Sequence, residues 1–237
     1  MESGVTSLQP LVVVVTGFAD DGLPCEDQVV RQSLDAALDS CGTRLSAETV
    51  ANTIFPHSLW RPGVPRDRLF ERYRRLESRL KRKDRRNSHG RYFDRLIGWG
   101  TDRPAGGNQL EHILRCYAEG VRRKPALQAS TFDPARDLTF ERRRGFPCLQ
   151  QVAFAPDSKS ATLGVSAFYA SQYVFERAYG NYLGLCRLGR FVAHEMGLRL
   201  VRMTCYAGYA TLGDSGRSHL EGLLRAVAGV PDIRSVA

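Results

Sequence analysis

Cys148 sits in the run RRRGFPCLQQVAF, residues 142–154, where three arginines lead through Phe-Pro into an alternating apolar segment. A thiol there is either a small buried filler or a nucleophile. The second use requires a lowered pKa, and nearby guanidinium groups lower it. Arg142, Arg143 and Arg144 are candidates for that field or for a phosphate clamp. Asn181, at the start of NYLGLCRLG, carries a carboxamide that accepts and donates at once, or else caps a helix. Arg122 and Arg123 are a pair suited to bidentate phosphate contact, or a charged helix end with no ligand. The five histidines form no HxH, HExxH or Cys/His cluster, so a metal site has little support. TGFADDG lacks the glycine spacing of dinucleotide and P-loop sites.

These side chains need elements to hold them. LVVVVTGF (11–18) is a short valine-rich run suited to a buried strand. CEDQVVRQSLDAALDSCG follows with Val29, Val30, Leu34, Ala37 and Leu38 at helical spacing and Gly42 as a stop. ANTIFPHSLWRPGVP (51–65), broken by three prolines, reads as an ordered loop. RDRLFERYRRLESRLKRKDRR then puts Leu69, Phe70, Tyr73, Leu76 and Leu80 on one face of a helix whose other face is almost all charge. A second amphipathic helix follows through Leu110, Ile113, Leu114 and Tyr117. Strands are expected over 126–134, 148–156 and 160–175. A helix through Tyr182, Leu185, Leu188, Val192 and Met196 comes next, with Gly184 and Gly189 leaving room for close packing. LRLVRMTCYAGYATLG returns to strand, and DSGRSHLEGLLRAVAGV closes as a helix. The pattern predicts a single α/β or α+β domain.

Charge is local. Residues 61–95 hold 14 Lys and Arg against 5 Asp and Glu, which accounts for the whole net charge of +9. That concentration favours anionic partners, phosphates or nucleic acid. No apolar run approaches the ~20 residues a bilayer span needs, and no targeting segment is visible. The six scattered cysteines have no CxxC pair and read as reduced thiols, which predicts a cytoplasmic protein.

Four stretches in order resemble the thymidylate synthase superfamily, enzymes that attach one carbon to C5 of a pyrimidine nucleotide. NSHGRYFDRLIGW is similar to that family's Gly-x-x-Tyr-Gly-x-x-Trp segment. NQLEHILRCYAEGVRRKPALQASTFDP is similar to its Asp-Gln-Ile helix, Arg-Arg pair and Ser-x-Trp-Asn-Pro strand. FPCLQQVAF looks like its Pro-Cys-His strand, and YASQYVFERAYGNYLGL like its Tyr-Gln-Arg-Ser to Phe-Asn stretch. Order and spacing agree over residues 85–200.

The resemblance implies a mixed sheet flanked by helices and a homodimer. It makes Cys148 the nucleophile that adds to C6, so that C5 can attack a one-carbon electrophile. Asn181 would read the O4 and N3 edge of the base. Arg122 and Arg123 would reach the phosphate held by the partner subunit, with Arg143 and Arg144 sharing it. Tyr92 and Trp60 fall where the family has active-site aromatics, Trp60 with a core or loop role as its alternative. The implied donor is 5,10-methylenetetrahydrofolate.

The chain also departs from the family. YASQ contains no arginine, so Gln172 or an arginine from elsewhere must substitute. The residue after the nucleophile is Leu149, the early phosphate loop is absent, and YAGYATLGDSGRSH lacks the ribose-motif spacing. The sequence stops soon afterwards, so the segment that closes over folate is expected to be missing. These departures leave two further readings: a nucleotide- or RNA-binding protein without catalysis, and folate-independent chemistry on a modified nucleotide.

Overall fold

A computed structural model of the chain describes residues 7–43, 45–83, 91–100, 104–121, 123–138, 140, 147–213 and 220–228, the side chains of 78 and 80–83 excepted. Arg122, Arg142, Arg143 and Arg144 lie outside these residues.

The elements run β1 (Ser7–Leu8), β2 (Leu11–Val15), α1 (Gln28–Ser40), α2 (Ala47–Ile54), α3 (Asp67–Lys83), α4 (Tyr92–Ile97), α5 (Gln109–Ala118), β3 (Gln128–Ser130), α6 (Pro134–Asp137), β4 (Leu149–Asp157), β5 (Thr162–Tyr173), α7 (Tyr179–Glu195), β6 (Arg199–Thr211) and α8 (Glu221–Ala228). The class is α/β, a six-stranded mixed sheet flanked by helices. Its order is β1-β6-β5-β4-β3, with β2 also paired to β6. β4 and β5 form an antiparallel hairpin, whereas β5 and β6 run parallel because α7 carries the chain across between them.

Local chemistry accounts for the helix starts. The Asp27 carboxylate accepts from the Val29 and Val30 amides, the Ser46 hydroxyl from Thr49, and the Asn108 side chain from Glu111. The Ser46 cap corrects the expected loop over 51–65, because its first residues belong to α2. Ala47, Val50, Ala51 and Ile54 are all buried, a stripe at i, i+3, i+4 and i+7 that the prolines interrupt only from Pro56 onward.

α2 crosses α7 at very short range. A Cβ added at Gly180 would lie 2.5 Å from the Val50 Cβ, and one at Gly184 would lie 2.7 Å from the Ala51 carbonyl oxygen. Glycine at these two positions sets the separation of the helices. Beneath the crossing, Phe55 stacks on Phe191 with ring centroids 5.3 Å apart, and Trp60 meets Phe191 edge-on at 5.7 Å. Trp60 is 5% exposed and takes the core role.

One sheet face carries this core. The other exposes a row running Val12, Tyr206, Phe168, Gln151 in direct register across four strands. The Phe168 and Tyr206 rings stack at 5.6 Å and are 42% and 40% exposed. Val14 is exposed beside them.

Candidate active site

The β-strand alternation delivers Cys148 immediately before β4, exposed, between buried Pro147 and buried Leu149. Its neighbours are fixed by hydrogen bonds from three directions. The Ala170 amide donates to the Cys148 carbonyl at 2.9 Å. The Gln150 side chain donates to the Pro147 carbonyl at 2.6 Å, and the Thr131 hydroxyl donates to the Leu149 carbonyl. The Leu149 amide points at the Tyr92 hydroxyl, 3.5 Å away.

Tyr92 is carried by the first turn of α4, and that helix is pinned from its other side. Arg95, 4% exposed, forks onto Asp137 at 2.6 and 2.9 Å and donates to the Thr131 carbonyl at 2.8 Å. The residue whose hydroxyl grips Leu149 is thus tied through its carbonyl to the helix that presents Tyr92. Gln109 adds a second clasp, donating to the Arg95 and Ser130 carbonyls and accepting from the Ser130 amide.

Electrostatics distinguish Cys148 from the core cysteines. Cys186 and Cys205 are buried, and burial pushes each thiol up to about 12. At Cys148 the crowding of the surrounding wall also raises the pKa, while the Arg177 guanidinium lowers it. The net direction is upward, so the ground state holds a neutral thiol. Burial, and then the neighbouring Cys148 where it ionises, push the Tyr92 hydroxyl up as well, against the Leu149 amide and Arg177. Tyr169, edge-on to Tyr92 at 6.5 Å, is fully buried, and its hydroxyl has no partner among the described residues.

Arg177 is the residue that sequence reasoning missed. It lies on a single π-helical turn, Val174–Ala178, that joins β5 to α7. Such turns recur at functional positions. The available signal was Arg177 itself, beside Glu176 in the VFERAYG junction between strand and helix. The turn after YASQ thus carries an arginine whose charge acts on the Cys148 thiol.

Asn181 is inside α7, one turn beyond that π-turn, and is 5% exposed. It is not a helix cap, because α7 continues without a break from the π-turn. No described residue hydrogen-bonds its carboxamide. Gln172 is buried at the end of β5. Its side-chain oxygen accepts from the Tyr182 hydroxyl at 2.8 Å, and its amide nitrogen has no partner among the described residues. Gln172 therefore looks into the protein, toward Tyr182. Arg123 is exposed on the loop between α5 and β3.

Among the described residues no group of three or more His, Cys, Asp and Glu side chains converges, and no helix is long and apolar enough to cross a membrane. No protein-family model matches the chain, and no curated protein matches it in sequence.

Proposed function

We propose that this protein is a divergent thymidylate synthase-like enzyme that activates C5 of a pyrimidine nucleotide through Cys148. The observation that carries the reading is the exposed Cys148 thiol, fixed at the mouth of β4 with Tyr92 on the adjoining amide and the Arg177 field upon it.

The exposed thiol gives its proton to solvent water as its sulfur adds to C6 of the ring, and the displaced electron pair moves to C5 and O4. Arg177 supports the thiolate. The Asn181 carboxamide accepts from N3–H and donates to O4, where charge accumulates. C5 then takes a proton or a one-carbon electrophile. Loss of the original C5 hydrogen and expulsion of the thiolate restore the ring. Arg122, Arg123, Arg143 and Arg144 would share the phosphate.

A one-carbon transfer at C5, methylation or hydroxymethylation, is the reading for the overall reaction. Folate is the donor the resemblance implies. Trp60, one of the aromatics that the resemblance places at the active site, is instead packed in the core against Phe55 and Phe191.

The exposed Phe168 and Tyr206 rings, with Val12 and Val14, support a homodimer joined through the open sheet face. Such a dimer would let Arg122 and Arg123 serve the partner's site.

The test is release of tritium from C5-labelled UMP, dUMP, CMP and dCMP, with and without methylenetetrahydrofolate, by the wild type and Cys148→Ala. Release from one nucleotide that vanishes in the variant supports attack at C6 and identifies the substrate. Its dependence on folate decides whether that donor is used. A second reading, nucleotide binding without catalysis, is favoured by the upward shift of the thiol. Tight binding of a nucleotide without C5 exchange would replace the enzyme by that reading.

A further inference from the structure

We propose that the exposed arginine face of α3 is a docking surface for the phosphodiester backbone of a nucleic acid, separate from the Cys148 site. Arg68, Arg72, Arg75 and Arg79 recur at i, i+4, i+7 and i+11, and so share one face along the helix. All four are exposed. The 17 residues of α3 make a rod of roughly 25 Å, long enough to follow a backbone.

These charges are largely unspent inside the protein. Arg68 pairs with Glu71 at 3.3 Å, both side chains in open solvent, and Arg72 approaches the Leu59 carbonyl at 3.4 Å. No carboxylate among the described residues pairs with Arg75 or Arg79. The contrast is Arg66, just before the helix, which is held by Glu111 at 2.6 Å and Glu195 at 3.3 Å. An exposed pair such as Arg68–Glu71 is weak and gives way to a phosphate.

The apolar face of α3 decides what kind of polyanion fits. Leu69, Phe70 and Tyr73 are at most 3% exposed. Leu76 is half-buried, so none of the described apolar side chains of the helix stands fully exposed to enter a bilayer, as an interfacial helix requires, and neither aromatic ring is available to stack on a base. What remains is guanidinium chemistry matched to phosphate and indifferent to sequence. A duplex should bind at least as well as a single strand.

The experiment is fluorescence anisotropy of labelled duplex DNA, duplex RNA and single-stranded DNA against salt. The comparison is the wild type, Arg68→Gln/Arg72→Gln/Arg75→Gln/Arg79→Gln, and the matching four-Lys variant. Each lost phosphate contact flattens the plot of log affinity against log salt by ~0.9, so the Gln variant should be shallower by about 3 to 4 on duplex DNA. The Lys variant should keep most of the slope. The two duplex arms show which nucleic acid is preferred. Equal thermal midpoints of the variants exclude a folding defect. An unchanged slope in the Gln variant, a flat wild-type titration, or equal affinity for polyglutamate or phosphatidylserine vesicles would overturn the proposal.

Discussion

Ala170 stands directly across from Cys148, its amide N–H bonded to the cysteine carbonyl at 2.9 Å. The neighbouring strand therefore offers the thiol a methyl group, and the described positive charge comes from Arg177 on the turn that follows that strand. The π-turn therefore carries the charge that opposes the upward shift of this thiol.

Removing that charge should slow the thiol. Arg177→Ala is expected to shift the pH profile of iodoacetamide labelling at Cys148 upward, with labelling at pH 8 falling several-fold, up to about tenfold for one unit of pKa. Arg177→Lys should recover most of the rate. Mass spectrometry of the peptide bearing Cys148 separates it from exposed Cys25. A labelling profile that is the same in all three proteins would remove Arg177 from the mechanism.

The Arg95–Asp137 pair should make stability depend on acid. Burial alone would raise the Asp137 carboxyl, but the Arg95 hydrogen bonds and the Asp133 amide outweigh it and hold the pKa below the usual range. A depressed folded pKa stabilises fully above the unfolded value of about 3.9, and the contribution is lost as pH falls through the folded value. Urea denaturation at pH 7 and pH 3 should show this loss. Asp137→Ala should cost about 3–5 kcal/mol at pH 7 by stranding a buried guanidinium, and should flatten the acid dependence.

At the α2–α7 crossing, added volume should be costly. Gly184→Ala is expected to destabilise by about 1–3 kcal/mol, since its Cβ meets backbone that has nowhere to move. Gly222→Ala, where a Cβ meets nothing within 4 Å, is the control and should be neutral or slightly stabilising. Equal denaturant midpoints for the two variants would contradict the packing argument.

The sheet face yields a hydrodynamic prediction. Phe168→Glu combined with Tyr206→Lys should leave the fold intact, because both rings are partly exposed, and should turn a dimer into a monomer in sedimentation velocity. A wild-type monomer at every accessible concentration would count against the shared interface.

Much of the scaffold was legible because its periods were long and clean. The 148–156 run and the α7 stripe each formed the expected element, and Gly184 was visible as a close-packing position; LVVVV formed a strand, but not the buried one expected, because Val12 and Val14 face outward. The start of α2 was obscured because the prolines after Ile54 dominated a window that began too late to include Ser46. Around Cys148 the sequence could nominate residue types, but it could not show that Gln172 faces inward. Nor could it show that the Arg177 charge acts on the thiol, since that follows from how the chain turns after β5. Asn181 could be read as a cap or as a ligand group, and only the uninterrupted helix through it removed the first choice.

The pairing of β2 with β6 carries a different kind of consequence. Residues 11–15 find their partners among residues 203–207, so nearly the whole chain must leave the ribosome before the first strand has an edge to join. Contacts of such long range make folding slow. Until Tyr206 and its neighbours emerge, the valines of β2 would be held unpaired, where a chaperone can bind them. Chains stalled before residue 199 should therefore leave β2 open to hydrogen exchange while α1 and α2 are already forming.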